Sequence, residues 1–228
     1  MVCGVLPPPA SYDLSLTIAK MSSTFQLYYI TDRRQMKSAT LDDCIARAVA
    51  AGVDWVQIRE KDLPARSLLA LTEAAVKQTR QQGRTRVMVN DRLDVALAAK
   101  AHGVHLGTHS LRADLVRRLT PREFMVGVSC HSLAEALTAQ AAGADYLLLG
   151  PVFATPSKLP YGPPLGLATL REVTLQISIP VFALGGITTD RVALCIENGA
   201  AGIAGIRIFQ DCDSIEGLVR EVREKSEA

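Results

Sequence analysis

Eight repeats of a short β-rich run followed by a helical stretch predict a (β/α)8 TIM barrel for this sequence. Most of the runs are apolar at successive positions, as expected for parallel strands that are covered on both faces. A doubly wound sheet usually has a glycine-rich loop after its first strand, and "ITDRRQM" contains no glycine, so the barrel is favoured. The runs lie at 26–32, 55–60, 86–91, 103–107, 125–131, 146–152, 180–186 and 202–209.

The stretches between the runs have the spacing of amphipathic helices, for example at 41–52, 132–143 and 188–199. Four junctions, "AAGVDWVQI", "AHGVHLG", "AAGADYLLLG" and "NGAAGIAGI", are each predicted to end a helix at glycine and then begin a strand. Glycine accepts the left-handed conformation that closes a helix, so these junctions support the repeating unit.

Composition excludes several classes of function. The formal net charge is +2, from 25 basic and 23 acidic residues, so neither nucleic acid nor an anionic membrane is indicated as a partner. No apolar run is long enough to span a membrane. Five widely spaced cysteines without a CxxC pair are typical of the cytoplasm rather than of a disulfide framework or a zinc site.

The chain divides into two unequal parts. Residues 1–24, which include three consecutive prolines, are expected to form a loose leader, with Met21 as an alternative start to Met1. Residues 25–228 contain no linker-like stretch and are expected to form the barrel as one domain. The sequence leaves the oligomeric state open, a homodimer included.

Polar residues end the predicted strand 2. Active sites of such barrels lie at the carboxyl ends of the strands. Gln57, Arg59 and Lys61 are two residues apart, so they are expected to share one face. Glu60 then points the other way, toward the helices or a neighbouring cation. Arginine can fork onto two phosphate oxygens and lysine supplies a movable charge, so with Lys158 these residues favour an anion site.

Strand 3 ends in Asn90 and Asp91, which allow two interpretations. A carboxylate together with substrate phosphate oxygens is a donor set that Mg²⁺ prefers. The same pair could instead form a turn that caps the helix starting near Arg92. Spacing alone does not separate a metal site from a helix cap.

Strand 5 ends in Ser129, Cys130 and His131. Alternation places Ser129 and His131 on one face and Cys130 on the other, where a small buried residue is expected. His131 could act as an acid or base because imidazole titrates near neutrality. His105, within strand 4, is expected to be a core or wall residue.

Strand 7 ends in Gly185 and Gly186, just before a predicted helix. Phosphate sites in barrels often use the loops after strands 7 and 8, where backbone N–H groups point at the anion. A tight turn without a ligand is the alternative interpretation. With the cations of strand 2, an anion site is favoured, and Arg207 lies within the predicted strand 8.

Six segments resemble the thiamine phosphate synthase/TenI superfamily across roughly residues 26–210. They are "VQIREKD", "VNDRLDVALAAKAHGVHLG", "VGVSCHSLAEAL", "LLLGPVFATPSK", "PLGL" and "PVFALGGIT". The resemblance implies the barrel fold and an enzyme of thiamine biosynthesis. The synthase type joins hydroxymethylpyrimidine diphosphate to a thiazole phosphate, a transferase reaction that gives thiamine phosphate and pyrophosphate.

The resemblance also implies roles for particular residues. One carboxylate, Asp91, is implied to hold Mg²⁺, and Gly186 is implied to contact the thiazole phosphate through its backbone. Thr155 and Ser157 match the loop that holds the same phosphate. The residues implied to bind the diphosphate are Gln57, Arg59, Lys61, Asn90, Ser129 and Lys158.

Two departures from the synthase pattern keep alternatives open. After strand 4 the synthase pattern has a second acidic metal ligand, and the sequence has "GTHS" at 107–110. After strand 8 the pattern has serine, and the sequence has Arg207. A metal-independent thiazole tautomerase of the TenI type, with His131 as its acid and base, is therefore an alternative. A non-catalytic phosphate-binding regulatory barrel is a third.

Overall fold

The computed structural model of the protein describes residues 24–36, 40–82, 84–155 and 162–227. In these residues eight parallel strands close into a barrel, with β8 paired to β1, so the predicted (β/α)8 fold is confirmed. The predicted leader lies almost entirely outside the described residues and stays a prediction. The strands are β1 Gln26–Ile30, β2 Trp55–Ile58, β3 Arg86–Asn90, β4 Gly103–Leu106, β5 Met125–Cys130, β6 Tyr146–Leu149, β7 Val181–Leu184 and β8 Gly202–Gly205.

Helices follow the strands and cover the outside of the barrel. In the described part of the chain no helix is both long and apolar enough to cross a membrane. Short 3-10 helices lie at Arg33–Gln35 and Thr189–Arg191. The α-helices are α1 Leu41–Ala50, α2 Ala65–Gln82, α3 Leu93–Ala98, α4 Ala113–Leu119, α5 Leu133–Ala141, α6 Gly166–Gln176, α7 Val192–Glu197, α8 Arg207–Gln210 and α9 Ile215–Glu227.

Strand alternation divides the core into two clusters. Outward-facing side chains such as Leu27 and Val56 pack against the helices in the larger cluster. Inward-facing Tyr28, Trp55 and Tyr146 belong to a separate cluster inside the barrel. This is the two-sided burial that the apolar runs predict.

Glycine makes room for the large side chains inside the barrel. A Cβ on Gly127 would lie 2.0 Å from the Tyr146 ring, and a Cβ on Gly202 would lie 2.7 Å from the Phe182 ring. Both distances are far below van der Waals contact, so these strand positions accept only glycine while the rings stay in place. Alternating small and large residues therefore fill the lower part of the barrel.

Three of the four predicted helix-closing glycines are confirmed. Gly52, Gly143 and Gly199 have φ of +82°, +86° and +81°, in the left-handed region. The prediction for "AHGVHLG" is wrong, because the left-handed residue there is Lys100, with φ of +52°. Gly103 instead begins β4, where a Cβ would lie 2.1 Å from the Met125 carbonyl oxygen.

All eight strands end before their predicted runs do, and two of these differences bear on the site. β2 ends at Ile58 rather than at residue 60. β8 ends at Gly205, where its pairing with β1 stops, so the prediction that Arg207 lies in a strand is wrong. Arg207 instead begins α8, and Phe209 of this helix packs against Tyr29, with ring centroids 5.3 Å apart.

Candidate active site

Four polar side chains from neighbouring strands face the inside of the barrel near the carboxyl ends of the strands. Gln57 Nε2 on β2 donates to Asn90 Oδ1 on β3 at 3.0 Å. His105 Nε2 on β4 lies 2.8 Å from Ser129 Oγ on β5. We call Gln57, Asn90, His105 and Ser129 the polar ring. The structure brings together three residues that the sequence predicts for the site, namely Gln57, Asn90 and Ser129.

His105 is the member of the polar ring whose function the sequence did not indicate. Its expected place in the core or wall is confirmed, since the residue is 2% exposed. Burial, assisted by the positive charge of Arg59, lowers the pKa of His105 to about 3. The imidazole is therefore neutral near pH 7, with one nitrogen able to donate and the other able to accept. Only cross-strand register, which places His105 opposite Gly127, brings it to Ser129.

A hydrogen-bonded chain leads down from His105 into the aromatic core. His105 Nδ1 lies 3.3 Å from the Tyr146 hydroxyl, which in turn lies 2.7 Å from the Tyr28 hydroxyl. Burial raises the pKa of both tyrosines well above the usual value, so both stay protonated. The His105 ring is thus held at Nδ1 by Tyr146 and at Nε2 by Ser129, which fixes its orientation.

The end of β2 carries the predicted cations. Arg59 is half-buried just after the strand, at the carboxyl end of the barrel, and its positive charge adds to burial in lowering the pKa of His105. Glu60 points away from the barrel interior and pairs with Arg33, Nη1 to Oε2 at 2.9 Å, as predicted for a neighbouring cation. Lys61 lies in a turn and is exposed, so strand alternation does not place it on the face of Gln57 as predicted.

Asp91 follows β3 in an unusual backbone conformation. Its φ is +64°, a left-handed value that Asp and Asn tolerate better than most residues. No side chain caps the next helix, α3, among the described residues, so the capping interpretation is not supported. Asp91 is exposed, and its backbone N–H donates to the His105 carbonyl at 2.8 Å.

The donor set around Asp91 suits a metal ion only with help from the substrate. No group of three or more His, Cys, Asp or Glu side chains that could hold a metal ion occurs within the described ranges. In the "GTHS" loop Ser110 Oγ accepts from the Gly107 N–H at 2.8 Å, so it serves the turn itself. One carboxylate supplemented by diphosphate oxygens and waters is still an acceptable Mg²⁺ environment.

The glycine pair after β7 is held against the loop after β6. Gly185 and Gly186 have φ of +94° and +65°. A Cβ on Gly185 would lie 2.7 Å from Pro151, and one on Gly186 would lie 2.8 Å from the Phe153 Cβ. Arg191 Nη1 also donates to the Gly186 carbonyl at 2.6 Å. Packing alone accounts for both glycines, so their contact with a phosphate stays a prediction.

Arg207 at the start of α8 and Thr155 in the loop after β6 are in contact although they lie 52 residues apart in sequence. Arg207 Nη2 donates to Thr155 Oγ1 at 3.3 Å. Both residues are predicted to bind the thiazole phosphate, and their contact is compatible with a shared anion. Ser157, predicted to bind the thiazole phosphate, and Lys158, predicted to bind the diphosphate, lie outside the described residues.

Cys130 and His131, at the end of β5, lie largely where the sequence predicts. Cys130 is 1% exposed on the outward face, and burial raises the pKa of its thiol to about 12. His131 is half-buried just beyond the strand, with Nδ1 3.2 Å from Glu135 Oε2. The carboxylate orients the imidazole, which is the usual function of such a partner. Whether His131 transfers a proton stays a prediction.

Comparison with known proteins identifies the family. The model of the family described as "Thiamine monophosphate synthase" matches residues 27–209, from the second residue of β1 to beyond the end of β8. The chain belongs to this family. A Geobacter sulfurreducens protein is 48% identical over 193 residues, covering 84% of this chain and 90% of its own length. The thiamine-phosphate synthase of Methanoculleus marisnigri is 42% identical over 201 residues, covering 88% and 95%.

A solved structure agrees with the thiamine monophosphate synthase family in fold and in sequence. It is the thiamine phosphate pyrophosphorylase of Pyrococcus furiosus, with a TM-score of 0.80 and 33% identity. The similarity covers 89% of this chain and 96% of that chain. The match extends over the whole barrel and is not confined to one motif.

Proposed function

We propose that the protein is a thiamine-phosphate synthase, which condenses hydroxymethylpyrimidine diphosphate with a thiazole phosphate. The family and the names of its relatives support this reaction over the thiazole tautomerase and the regulatory barrel. The structural observation that carries the proposal is the polar ring beside Arg59 at the barrel mouth. A group of neutral donors and acceptors near a cation suits a substrate with a polar head and a diphosphate.

The reaction breaks one bond and forms another at the same carbon. The C–O bond to the diphosphate breaks first, the leaving oxygen keeps the electron pair, and the thiazole nitrogen then forms the C–N bond. The protein mainly has to position both partners and stabilise charge on the leaving group. Arg59 and Lys61 are the cations proposed to bind the departing pyrophosphate, with Lys158 as a further one.

The neutral members of the polar ring have a different task. Ser129 can donate to a diphosphate oxygen while its own oxygen interacts with His105. Asn90 and Gln57 hold each other in place through their amides. Fixed dipoles of this kind stabilise developing charge without having to reorient during the reaction.

Mg²⁺ is proposed as the cofactor, held by Asp91 together with diphosphate oxygens. A divalent cation would supply charge neutralisation on the leaving pyrophosphate. The exposed position of Asp91 at the carboxyl end of β3 is compatible with this function. Because one carboxylate stands alone, affinity for Mg²⁺ in the absence of diphosphate is expected to be low.

The thiazole phosphate is proposed to bind on the opposite rim, between the loop after β6 and the start of α8. Arg207, Thr155 and the backbone of Gly186 lie on this side, with Ser157 in the adjoining undescribed segment. Arginine in place of serine supplies a full charge for the phosphate.

We propose that the enzyme is soluble and cytoplasmic. The four cysteines in the described residues are free, which agrees with a reducing compartment.

A paired assay tests the proposed reaction. The purified protein is mixed with both substrates with and without Mg²⁺, and in parallel with thiazole carboxylate phosphate alone. We expect thiamine phosphate to form only with Mg²⁺ and the thiazole carboxylate to stay unchanged. Metal-independent conversion of the thiazole carboxylate that is lost in His131→Gln, without thiamine phosphate in any mixture, would establish the tautomerase instead.

A further inference from the structure

Arg59 and Lys61 follow a strand that has already ended. The β2–β3 ladder reaches only Ile58, so backbone pairing within the sheet does not fix the two cations proposed to bind diphosphate. A cation outside the ladder would lose conformational freedom when the substrate binds, and that loss would weaken binding. Some other contact must therefore hold this segment if the site is preorganised.

A buried side-chain network supplies that contact. The Arg59 backbone N–H donates to Thr31 Oγ1 at 2.9 Å, and Thr31 Oγ1 donates to Glu60 Oε1 at 2.7 Å. Thr31 is fully buried, and the Glu60 side chain is 1% exposed. Within the described ranges Glu60 is the only buried carboxylate. A charged group is rarely buried without a partner, so its contacts indicate what it does.

Arg33 completes the network from the loop after β1. Its backbone N–H lies 3.2 Å from both Glu60 carboxylate oxygens, and its Nη1 donates to Oε2 at 2.9 Å. The same guanidinium binds Asp62 with two hydrogen bonds, at 2.7 Å and 2.5 Å. Asp62 therefore keeps a pKa well below its usual range, mainly because of the Arg33 hydrogen bonds. Residues 59 to 62 are held at both ends.

We infer that Thr31 and Glu60, with Arg33 and Asp62, are positioning residues that hold the Arg59 segment in its diphosphate-binding conformation. The inference rests on the proposed function, because it assigns Arg59 to the diphosphate. None of the four needs to touch the substrate. The Glu60 side chain reaches Thr31 and Arg33, and Arg59 contributes its backbone N–H and not its side chain to the network.

Thr31→Val tests the inference, with Thr31→Ser as its conservative partner. Valine keeps the shape and removes the hydroxyl, which leaves both the Arg59 N–H and Glu60 short of one partner. Calorimetry with inorganic pyrophosphate and Mg²⁺ should show affinity about tenfold weaker for Thr31→Val. Thr31→Ser should bind nearly as the wild type does.

Thr85→Val is the matched control for a merely structural effect. Thr85 is also buried, and its hydroxyl donates to the Val53 carbonyl at 2.7 Å, just before β3 at the opposite end of the barrel. Urea unfolding should show a comparable loss of stability in both valine variants, with pyrophosphate affinity reduced only in Thr31→Val. Equal weakening in both variants would overturn the inference.

A double-mutant cycle tests whether Thr31 acts through Arg59. In the Arg59→Ala background the added Thr31→Val change should lower kcat/KM much less than it does in the wild type, since Lys61 is then the only cation of the segment left to position. A further tenfold loss in that background would overturn the inference. If Thr31→Val does not fold, Asp62→Asn at the exposed end of the network replaces it, with an expected loss of about threefold in affinity.

The outcomes also separate this inference from the proposed function. Wild-type protein that neither binds pyrophosphate nor forms thiamine phosphate contradicts the proposed function itself. Wild-type protein that binds pyrophosphate, together with a folded Thr31→Val that binds it equally well, contradicts only the positioning inference.

Discussion

At the level of Gln57 the inward-facing side chains of β2 to β5 are polar, whereas below that level the barrel interior is largely aromatic. Tyr28 and Trp55 stack with ring centroids 5.7 Å apart, and Phe182 meets Tyr28 edge to face at 5.6 Å. We call this lower part the aromatic floor. Above it lies the polar ring. Inward-facing positions build both layers, but the aromatic rings come from β1, β2, β6 and β7, whereas the polar ring comes from β2 to β5.

The two layers also differ in how their polar atoms are paired. In the aromatic floor Trp55 Nε1 donates to Gln26 Oε1 at 2.6 Å. In the polar ring Gln57 is 1% exposed, yet its Oε1 is buried without a hydrogen-bond partner in the described part of the structure. An unpaired buried polar atom costs about 1–3 kcal/mol. The floor is thus complete by itself, whereas the ring has an acceptor that a ligand could satisfy.

The largest effect on stability is expected in the aromatic floor. Trp55→Ala should lower the free energy of unfolding by about 3–5 kcal/mol, because it leaves a cavity among the rings. It also removes the partner of Gln26. Urea denaturation measures the loss, and Trp55→Phe should recover part of it. A stable Trp55→Ala protein without activity would mean that the floor contributes directly to the site.

Arg59→Ala should show the opposite behaviour at the polar ring. Removing the cation proposed to bind the leaving diphosphate should lower kcat/KM by about a hundredfold or more. The free energy of unfolding should change little, because the Thr31 and Glu60 network uses the Arg59 backbone and not its side chain. Steady-state kinetics and urea denaturation of one preparation check both parts. A large loss of stability would make Arg59 structural.

The sequence predicted the members of the polar ring better than it predicted the contacts between strands that hold them in place. Alternation and strand-end position identified Gln57, Asn90 and Ser129, because which face a strand residue occupies depends only on its own strand. The contact of His105 with Ser129 depends on register between two strands that are 24 residues apart in sequence. Local patterns contain no such information.

The ends of the strands were the other part that sequence patterns did not predict. "VQIREKD" contains no breaker, so the strand was extended to residue 60, whereas pairing stops at Ile58. Glu60 was expected to face the helices or a cation, and it does. Its link to Arg59 through Thr31 could not be predicted, because the intermediate hydroxyl lies just after a different strand, β1.

A pH series can test the neutral state of His105 in the polar ring. The folded pKa is about 3 and the ordinary value is 6.5, so between these values the unfolded chain binds more protons. The wild type should therefore lose stability as pH falls through this window. His105→Gln does not titrate there. Its free energy of unfolding relative to that of the wild type should therefore rise by about 2–3 kcal/mol from pH 7.5 to 4.5.

Urea midpoints at several pH values measure this difference, and other titrating groups contribute equally to both proteins and cancel. A constant difference between the two proteins across the series would mean that His105 can take up a proton in the fold. It would then resemble an exposed histidine and not a buried neutral member of the ring.

Arg207→Ser should give the smallest effect, at the exposed rim. Serine removes the charge proposed to attract the thiazole phosphate, so the KM for that substrate should rise about tenfold, with little change in kcat. Arg207 is exposed, and charges in contact with solvent are screened by salt. The rise in KM should therefore shrink when ionic strength is raised, whereas the Arg59→Ala defect at the half-buried position should persist. Arg207→Lys, which keeps the charge but loses the fork, should lie between the serine variant and the wild type. A serine variant with an unchanged KM would place the thiazole phosphate elsewhere on the rim, away from the Arg207 and Thr155 pair.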